Sequence, residues 1–301
     1  MRPNRPGRVE YILAAMGKCV CYVGLFLGMQ VLVLLPALFS VGMKVALGGG
    51  DENEIYAAML DADVMTLTLI SGLLTLAVVL AFYLIRRKKL SEALWLRPVP
   101  APALLAGASL APAMYFVVVL VLSVFPADWM ENYGEASSGI VTGTLVGVIS
   151  VALVAPVVEE FIFRGLIMTR LSRVMPGWLA VLLSAAVFGL CHGDPVWFCY
   201  AFVLGALFGF IDLWAGSILP SILGHITFNA TGQIMSLVPE TEEGHEIAIA
   251  LGVLLLVAIV LPILNRKGIA ALFRAAPASA AAGEWEMPGV PGTYDYDPWE
   301  E

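Results

Sequence analysis

Six polar side chains of this sequence are of the types that handle water and oxyanions, and all six stand in apolar runs. They are Glu159, Glu160, Arg164, His192, His225 and Asn229. An ionisable group inside a bilayer costs roughly 2.5–3.5 kcal/mol on insertion scales, so it marks a functional site by default. In Val157-Val158-Glu159-Glu160-Phe161-Ile162-Phe163-Arg164, Glu160 and Arg164 are four apart and meet on one helix face. Glu159 points about 100° away from Glu160 around the same helix. The two carboxylates therefore have different tasks. Glu160 has a cation beside it, whereas Glu159 has none and can face a cavity, take a proton and return it. An ion pair that only fixes helix packing is the plainer reading of Glu160 and Arg164.

His192 closes the segment Phe188-Gly189-Leu190-Cys191-His192, and His225 and Asn229 stand one turn apart on one face. A lone histidine in an apolar helix is usually a packed core residue. Here two of the chain's three histidines lie in apolar segments. The third, His245, reads as a solvated loop residue. Two carboxylates, two imidazoles and an amide, with no obvious nucleophile, suit water chemistry. A carboxylate acts as general base on a water that a histidine holds. A second histidine and an asparagine donate to an oxyanion, and a low dielectric strengthens both. Hydrolysis of an amide fits these parts.

The elements that position them are apolar helices. The chain has 301 residues, 60% of them hydrophobic and 13% charged, with a mean hydropathy of +0.89. Soluble proteins carry roughly 25% charged residues. A spanning helix needs about 20 mostly apolar residues, and that test marks 19–47, 64–85, 101–125, 140–168, 178–194, 197–214, 217–237 and 246–264. The expected fold class is an all-α polytopic membrane bundle of about eight transmembrane helices around the site. Residues 1–18 form an N-terminal segment, 19–264 the membrane domain with a catalytic core at 140–237, and 265–301 an acidic, disordered tail. The first apolar run is too long for a signal-peptide core and reads as an uncleaved span.

Charge segregation orients the spans. With the N-terminus inside, Arg2, Arg5, Arg8, Lys18, Arg86, Arg87, Lys88, Lys89, Arg97, Arg170, Arg173, Arg266, Lys267 and Arg274 fall on the inner side, and only Lys44 falls toward the outside. Acidic residues such as Asp51, Glu52, Asp128, Glu131, Glu240 and Glu242 fall outside. Both termini are then cytoplasmic in a plasma-membrane protein. By helix rise, His225 and Glu159 lie about 12 Å from the inner side and His192 about 21 Å. A kink at Gly189 or a later helix start would remove the mismatch. Asp212 stands near an inner helix end and is given no role. Ala201, Gly205 and Gly209 form a small-residue stripe suited to close packing. Cys19, Cys21, Cys191 and Cys199 form no CxxC pair and read as small hydrophobes. No basic block with interleaved aromatics points to nucleic acid.

Glu-Glu-x-x-x-Arg, Phe-x-x-x-His and His-x-x-x-Asn, in this order on successive apolar segments, resemble the CPBP family of intramembrane glutamic peptidases, also called the Abi or type II CAAX-protease family. The motifs run from Glu159 to Asn229. The resemblance implies an eight-helix membrane fold and a metal-independent endopeptidase without a cofactor. It also implies roles. Glu159 is the general base with His192 beside the water, His225 and Asn229 form the oxyanion hole, and Glu160 and Arg164 support the site. The resemblance transfers no particular substrate: a prenylated C-terminal peptide, a bacteriocin leader or another membrane-anchored peptide all fit, and the expected cut is near the cytoplasmic face because the acids and His225 lie nearer that side. Three alternatives stand beside this reading. One is a zinc peptidase with Glu159, His192 and His225 as ligands. Another is a non-proteolytic scaffold or bacteriocin-immunity protein. The last is a proton-coupled transporter.

Overall fold

In hydrocarbon a backbone must satisfy its own hydrogen bonds, so apolar runs of spanning length become helices. The computed structural model describes residues 8–48, 64–137 and 144–237, together with position 252. Among these residues every regular element is helical. The elements are α1 (Arg8–Gly48), α2 (Val64–Ile85), the short α3 (Leu90–Ala93), α4 (Ala101–Leu122) and α5 (Ala127–Ser137). They continue with α6 (Leu145–Leu171), α7 (Gly177–Leu190), α8 (Pro195–Ala215) and α9 (Leu219–Met235).

Five of these helices, α1, α2, α4, α6 and α8, are long and apolar enough to cross a membrane, and α7 is apolar but shorter. The first seven expected spans are thus all helices, with α7 and α9 the short ones at 14 and 17 residues. The eighth expected span, 246–264, the tail 265–301 and His245 lie outside the described residues. The architecture is a polytopic helical membrane bundle, and the chain is an integral membrane protein. Its surface agrees: Val20, Phe39 and Leu84 are among many large apolar side chains left exposed, where lipid tails rather than water are the solvent. The four cysteines are free thiols.

The buried core gathers on α6. Ile162, Phe163, Leu166, Ile167 and Met168 are fully buried, packed with Leu94, Val181 and Ile218. Phe163 meets Phe26 of α1 and Phe188 of α7 edge-on, at centroid distances of 5.6 and 5.1 Å. Helix α4 crosses α9 where two glycines face each other. A Cβ on Gly107 would collide with the Pro220 carbonyl, and one on Gly224 would lie 2.9 Å from the Gly107 carbonyl.

The end of the bundle that carries Arg86, Arg97 and Arg170 is plugged. After α3, the chain dips inward with Leu94 and Trp95 buried, aided by a positive φ of 56° at Trp95. The Trp95 carbonyl accepts the Ile218 N–H at 3.2 Å. Ser217 Oγ donates to the Arg97 carbonyl at 2.8 Å. The opposite end is the one where α5 lies, called the mouth below because the cavity of the candidate site reaches Tyr133 and Ser137 of α5 there.

Candidate active site

The winding of α6 sets the geometry. It is α-helical at its ends and at Ala155–Glu160, but π-wound at Ser150–Val154 and Phe161–Met168. Such wider turns concentrate at functional sites. Pro156 explains a consequence of the first one. In a π-turn the Val151 carbonyl would accept from residue 156, and proline has no N–H. The next candidate donor, Ala155 N–H, is taken by the Ser150 carbonyl. The Val151 carbonyl accepts instead from Asn229 Nδ2 of α9, at 2.8 Å. In the second π segment the Phe163 carbonyl accepts from Ser184 Oγ of α7, at 2.6 Å. Neighbouring helices thus dock on α6 through its displaced backbone.

Glu160 and Arg164 face inward and are buried at 0% and 1% exposure. Arg164 Nη1 lies 3.1 Å from Glu160 Oε1, and the guanidinium carbon sits 4.5 Å above the centre of the Phe188 ring. The cation is met by a carboxylate on one side and a π face on the other. Gly205 makes room for it: a Cβ there would stand 3.1 Å from Arg164 Nη2. The stripe Ala201, Gly205, Gly209 therefore packs closely, as expected, and also houses a charge.

His225 joins the two glutamates. Its Nδ1–H donates to Glu160 Oε1 at 2.8 Å, which fixes the ring and turns Nε2 toward Glu159 Oε2, 3.6 Å away. That second distance is beyond a hydrogen bond, so Glu159 keeps acceptor capacity for another group. Its side chain is 18% exposed, against 0% for Glu160. The 100° offset expected along the helix thus separates a sealed carboxylate from an accessible one.

His192 lies just past the end of α7. Gly193, at φ 74°, reverses the chain there, a conformation that suits glycine. Asp194 Oδ1 then caps α8 by accepting the Trp197 N–H at 2.8 Å. The His192 ring packs edge-on to Phe188 at 4.8 Å and against Trp197 at 5.1 Å. Its Nδ1 is 2.9 Å from the Phe188 carbonyl. A carbonyl only accepts, so the proton is on Nδ1 and Nε2 of the neutral ring carries a lone pair. The depth mismatch expected for His192 disappears, because the plug at Trp95 fixes where α9 begins and helix ends do not share one level.

Glu159, His192, His225 and Asn229 line one cavity of about 400 Å³, walled by Tyr115, Trp197, Phe208 and Phe228 among others. All six expected residues are brought together, four on the cavity and Glu160 and Arg164 beneath it. Two further polar residues join the sealed side without having been expected there. Ser184 gives no signal in an apolar helix. Asp212 does give one, but its position near a helix end suggests the membrane interface. It is instead fully buried, and its Oδ1 accepts the Ser221 N–H at 3.2 Å. Gly216, at φ 70°, ends α8 one turn later and turns the chain inward to Trp95, which keeps Asp212 away from the interface. Near the mouth, Tyr133 of α5 and Tyr200 of α8 bring their hydroxyls to 3.4 Å.

A shared zinc ion would need Glu159, His192 and His225 to converge on one point. Among the described residues no group of three histidine, cysteine or acidic side chains is so arranged. In the geometry found, both nitrogens of His225 are turned to carboxylates.

Residues 141–231 match the family described as type II CAAX prenyl endopeptidase Rce1-like. The chain is also 31% identical over 88 residues to the "Putative membrane peptidase YdiL" of Bacillus subtilis (strain 168), covering 29% of this chain and 36% of that protein. The match thus spans about a third of the relative's length. No solved structure matches the chain. The segment that matches the Rce1-like family model holds all six polar residues of the constellation.

Proposed function

We propose that the protein is a membrane endopeptidase that cleaves a membrane-associated peptide with water activated by Glu159. The observation that carries this reading is the contrast at one helix turn: Glu160 is sealed against Arg164 and His225, while Glu159 opens on the cavity beside two imidazoles. Glu159 takes a proton from a water whose oxygen attacks the scissile carbonyl carbon. The oxyanion forms where His225 and Asn229 face the cavity, and protonated Nε2 of His225 or the second N–H of Asn229 can donate to it. The proton on Glu159 then passes to the amide nitrogen as the C–N bond breaks, leaving a new carboxyl and a new amine. His192 holds the water through its Nε2 lone pair.

Glu160 acts through His225. Its ion pair with Arg164 fixes the carboxylate, which holds the imidazole by Nδ1, a second layer of support behind the reacting groups. The cavity volume suits a short peptide stretch, since ligand pockets run roughly 300–1,000 Å³.

The direction of entry follows from the lining. The helices around the cavity contribute residues from their mouth-side halves: Thr68 of α2, Tyr115 of α4, Tyr133 of α5, Trp197 of α8 and Gln233 of α9. The basic end is closed by the Trp95 plug. Substrate therefore enters from the end opposite the basic loops, which is the outer side if basic loops are cytoplasmic. Distance along the helices alone argues for cleavage near the inner face, but it takes no account of the plug.

Purified protein in liposomes containing a lipid-anchored peptide library tests the activity. Glu159→Gln should slow cleavage by about 10²–10⁴-fold while the fold, read by thermal unfolding, stays intact. Equal turnover by parent and variant would remove the general base from the proposal.

A further inference from the structure

Tyr133 of α5 and Tyr200 of α8 line the mouth end of the cavity, and no step of the proposed reaction uses them. Both side chains are half-buried, and their rings hold α5 to α8. Tyr133 meets Tyr200 edge-on at 6.1 Å and Trp197 at 6.2 Å. Phenylalanines would pack in the same way, so the hydroxyls have a separate task. The two oxygens are 3.4 Å apart, well beyond the roughly 2.7–2.8 Å of an ordinary O–H···O bond. Among the described residues, each hydroxyl has the other as its hydrogen-bond partner and no further one. One hydrogen at most lies between the oxygens. The second O–H and the remaining lone pairs are left for a group in the cavity.

We propose, on the peptidase reading, that this hydroxyl pair holds one peptide unit of the substrate in extended form, which makes Tyr133 and Tyr200 specificity-determining residues. A peptide unit presents one N–H and one C=O, and the pair presents one acceptor and one donor side by side. Giving up the loose bond between the hydroxyls costs little. A helical segment has both backbone groups engaged within itself, so the pair selects an unwound segment and reads its backbone rather than its side chain. The pair also lies close to the reacting groups. Trp197 touches Tyr133 on one side and the His192 ring, at 5.1 Å, on the other. Two ring contacts thus separate the pair from His192, a gap that a few extended residues span at roughly 3.3 Å each.

The test uses the full chain in liposomes and the lipid-anchored library peptide that the parent cleaves fastest. Tyr133→Phe and Tyr200→Phe should each raise KM by about threefold, and the double variant by about tenfold, with kcat moving much less, since each hydroxyl supplies one hydrogen bond of ordinary net size. A bond that only latches α5 to α8 is lost whole in the first variant, so the second change would add nothing. Copies of the peptide with one backbone N–H at a time replaced by N-methyl locate the contact. At one position the parent's KM should rise by about threefold or more, and that penalty should vanish in the double variant. Thermal unfolding of all three variants should match the parent's, because the rings stay. An unchanged KM in the double variant, a double variant no worse than the singles, or an N-methyl penalty that persists in it overturns the proposal and leaves Glu159 in its role. A parent that cleaves no member of the library overturns the peptidase reading and the tyrosine contact with it.

Discussion

Two polar regions lie back to back across one turn of α6. The cavity wall holds Glu159, His192 and Asn229, and the sealed layer beneath holds Glu160, Arg164 and Asp212. His225 belongs to both, with one ring nitrogen turned to each. The chemical types are nearly the same on the two sides. What differs is whether a group from outside can reach them. The sealed layer is closed to a substrate and holds His225, and under the proposed function it acts on the reaction only through that imidazole. The cavity wall has room, and its carboxylate is not held by a cation of its own.

That contrast breaks most directly at Glu159. Glu159→Gln keeps the shape and removes the base, so kcat should fall by about 10²–10⁴-fold, the range general-base groups supply. Thermal stability should barely move, because no partner is left uncompensated. A large loss of stability with residual activity would mean that Glu159 belongs to the packing and not to the reaction.

Arg164→Ala should do the reverse first. It leaves the buried Glu160 carboxylate facing His225 without its cation, and breaking a buried pair from one side costs about 3–5 kcal/mol. Activity should fall with stability. The double variant Glu160→Gln, Arg164→Met removes both charges and should recover much of the fold while activity stays low, because His225 loses its anchor. Recovery of full activity in that variant would reduce the sealed layer to packing.

How far these regions are legible in the sequence follows from the same division. Types and spacing point to the six residues, because buried charge is costly and conspicuous in an apolar chain. The 3.6-residue period gives the divergence of Glu159 from Glu160. Seven apolar segments can be marked as helices for the same reason, and they are helices. Depth cannot be read by counting residues. It depends on the Trp95 plug and on the turn at Gly193, which are tertiary events. The docking of Asn229 on Val151 is hidden too, since it arises from a missing N–H at Pro156 and a π-turn. Asp212 is legible in principle. An acid in an apolar helix is a site by default, and nearness to a helix end places it at the interface only if that end reaches the interface.

Gly205 sharpens the boundary at its narrowest point. Gly205→Val would press on Arg164 Nη2, on Phe188 and on Ala185, each of which would lie within 3.2 Å of the new Cβ. Overpacking of this kind costs about 1–3 kcal/mol. The expected result is a lower unfolding temperature and a reduced kcat with little change in KM, because the displaced guanidinium loosens Glu160 and, through it, His225. A rise in KM alone would place the strain on the cavity wall instead.

The smallest expected effect is at Asp212. Its Oδ1 accepts the Ser221 N–H at the start of α9, an interaction that an asparagine oxygen reproduces. Asp212→Asn should therefore change stability by less than about 1 kcal/mol, the size of a typical net hydrogen bond, and leave kcat within a few-fold. Asp212→Ala removes the acceptor and leaves a buried N–H unsatisfied, which costs about 1–3 kcal/mol. If the residue works as a hydrogen-bond acceptor in the sealed layer, the asparagine variant behaves as the parent and the alanine variant does not. If its charge matters to the reaction, the two variants lose turnover equally, and the line between the sealed layer and the cavity wall has to be redrawn to include α8.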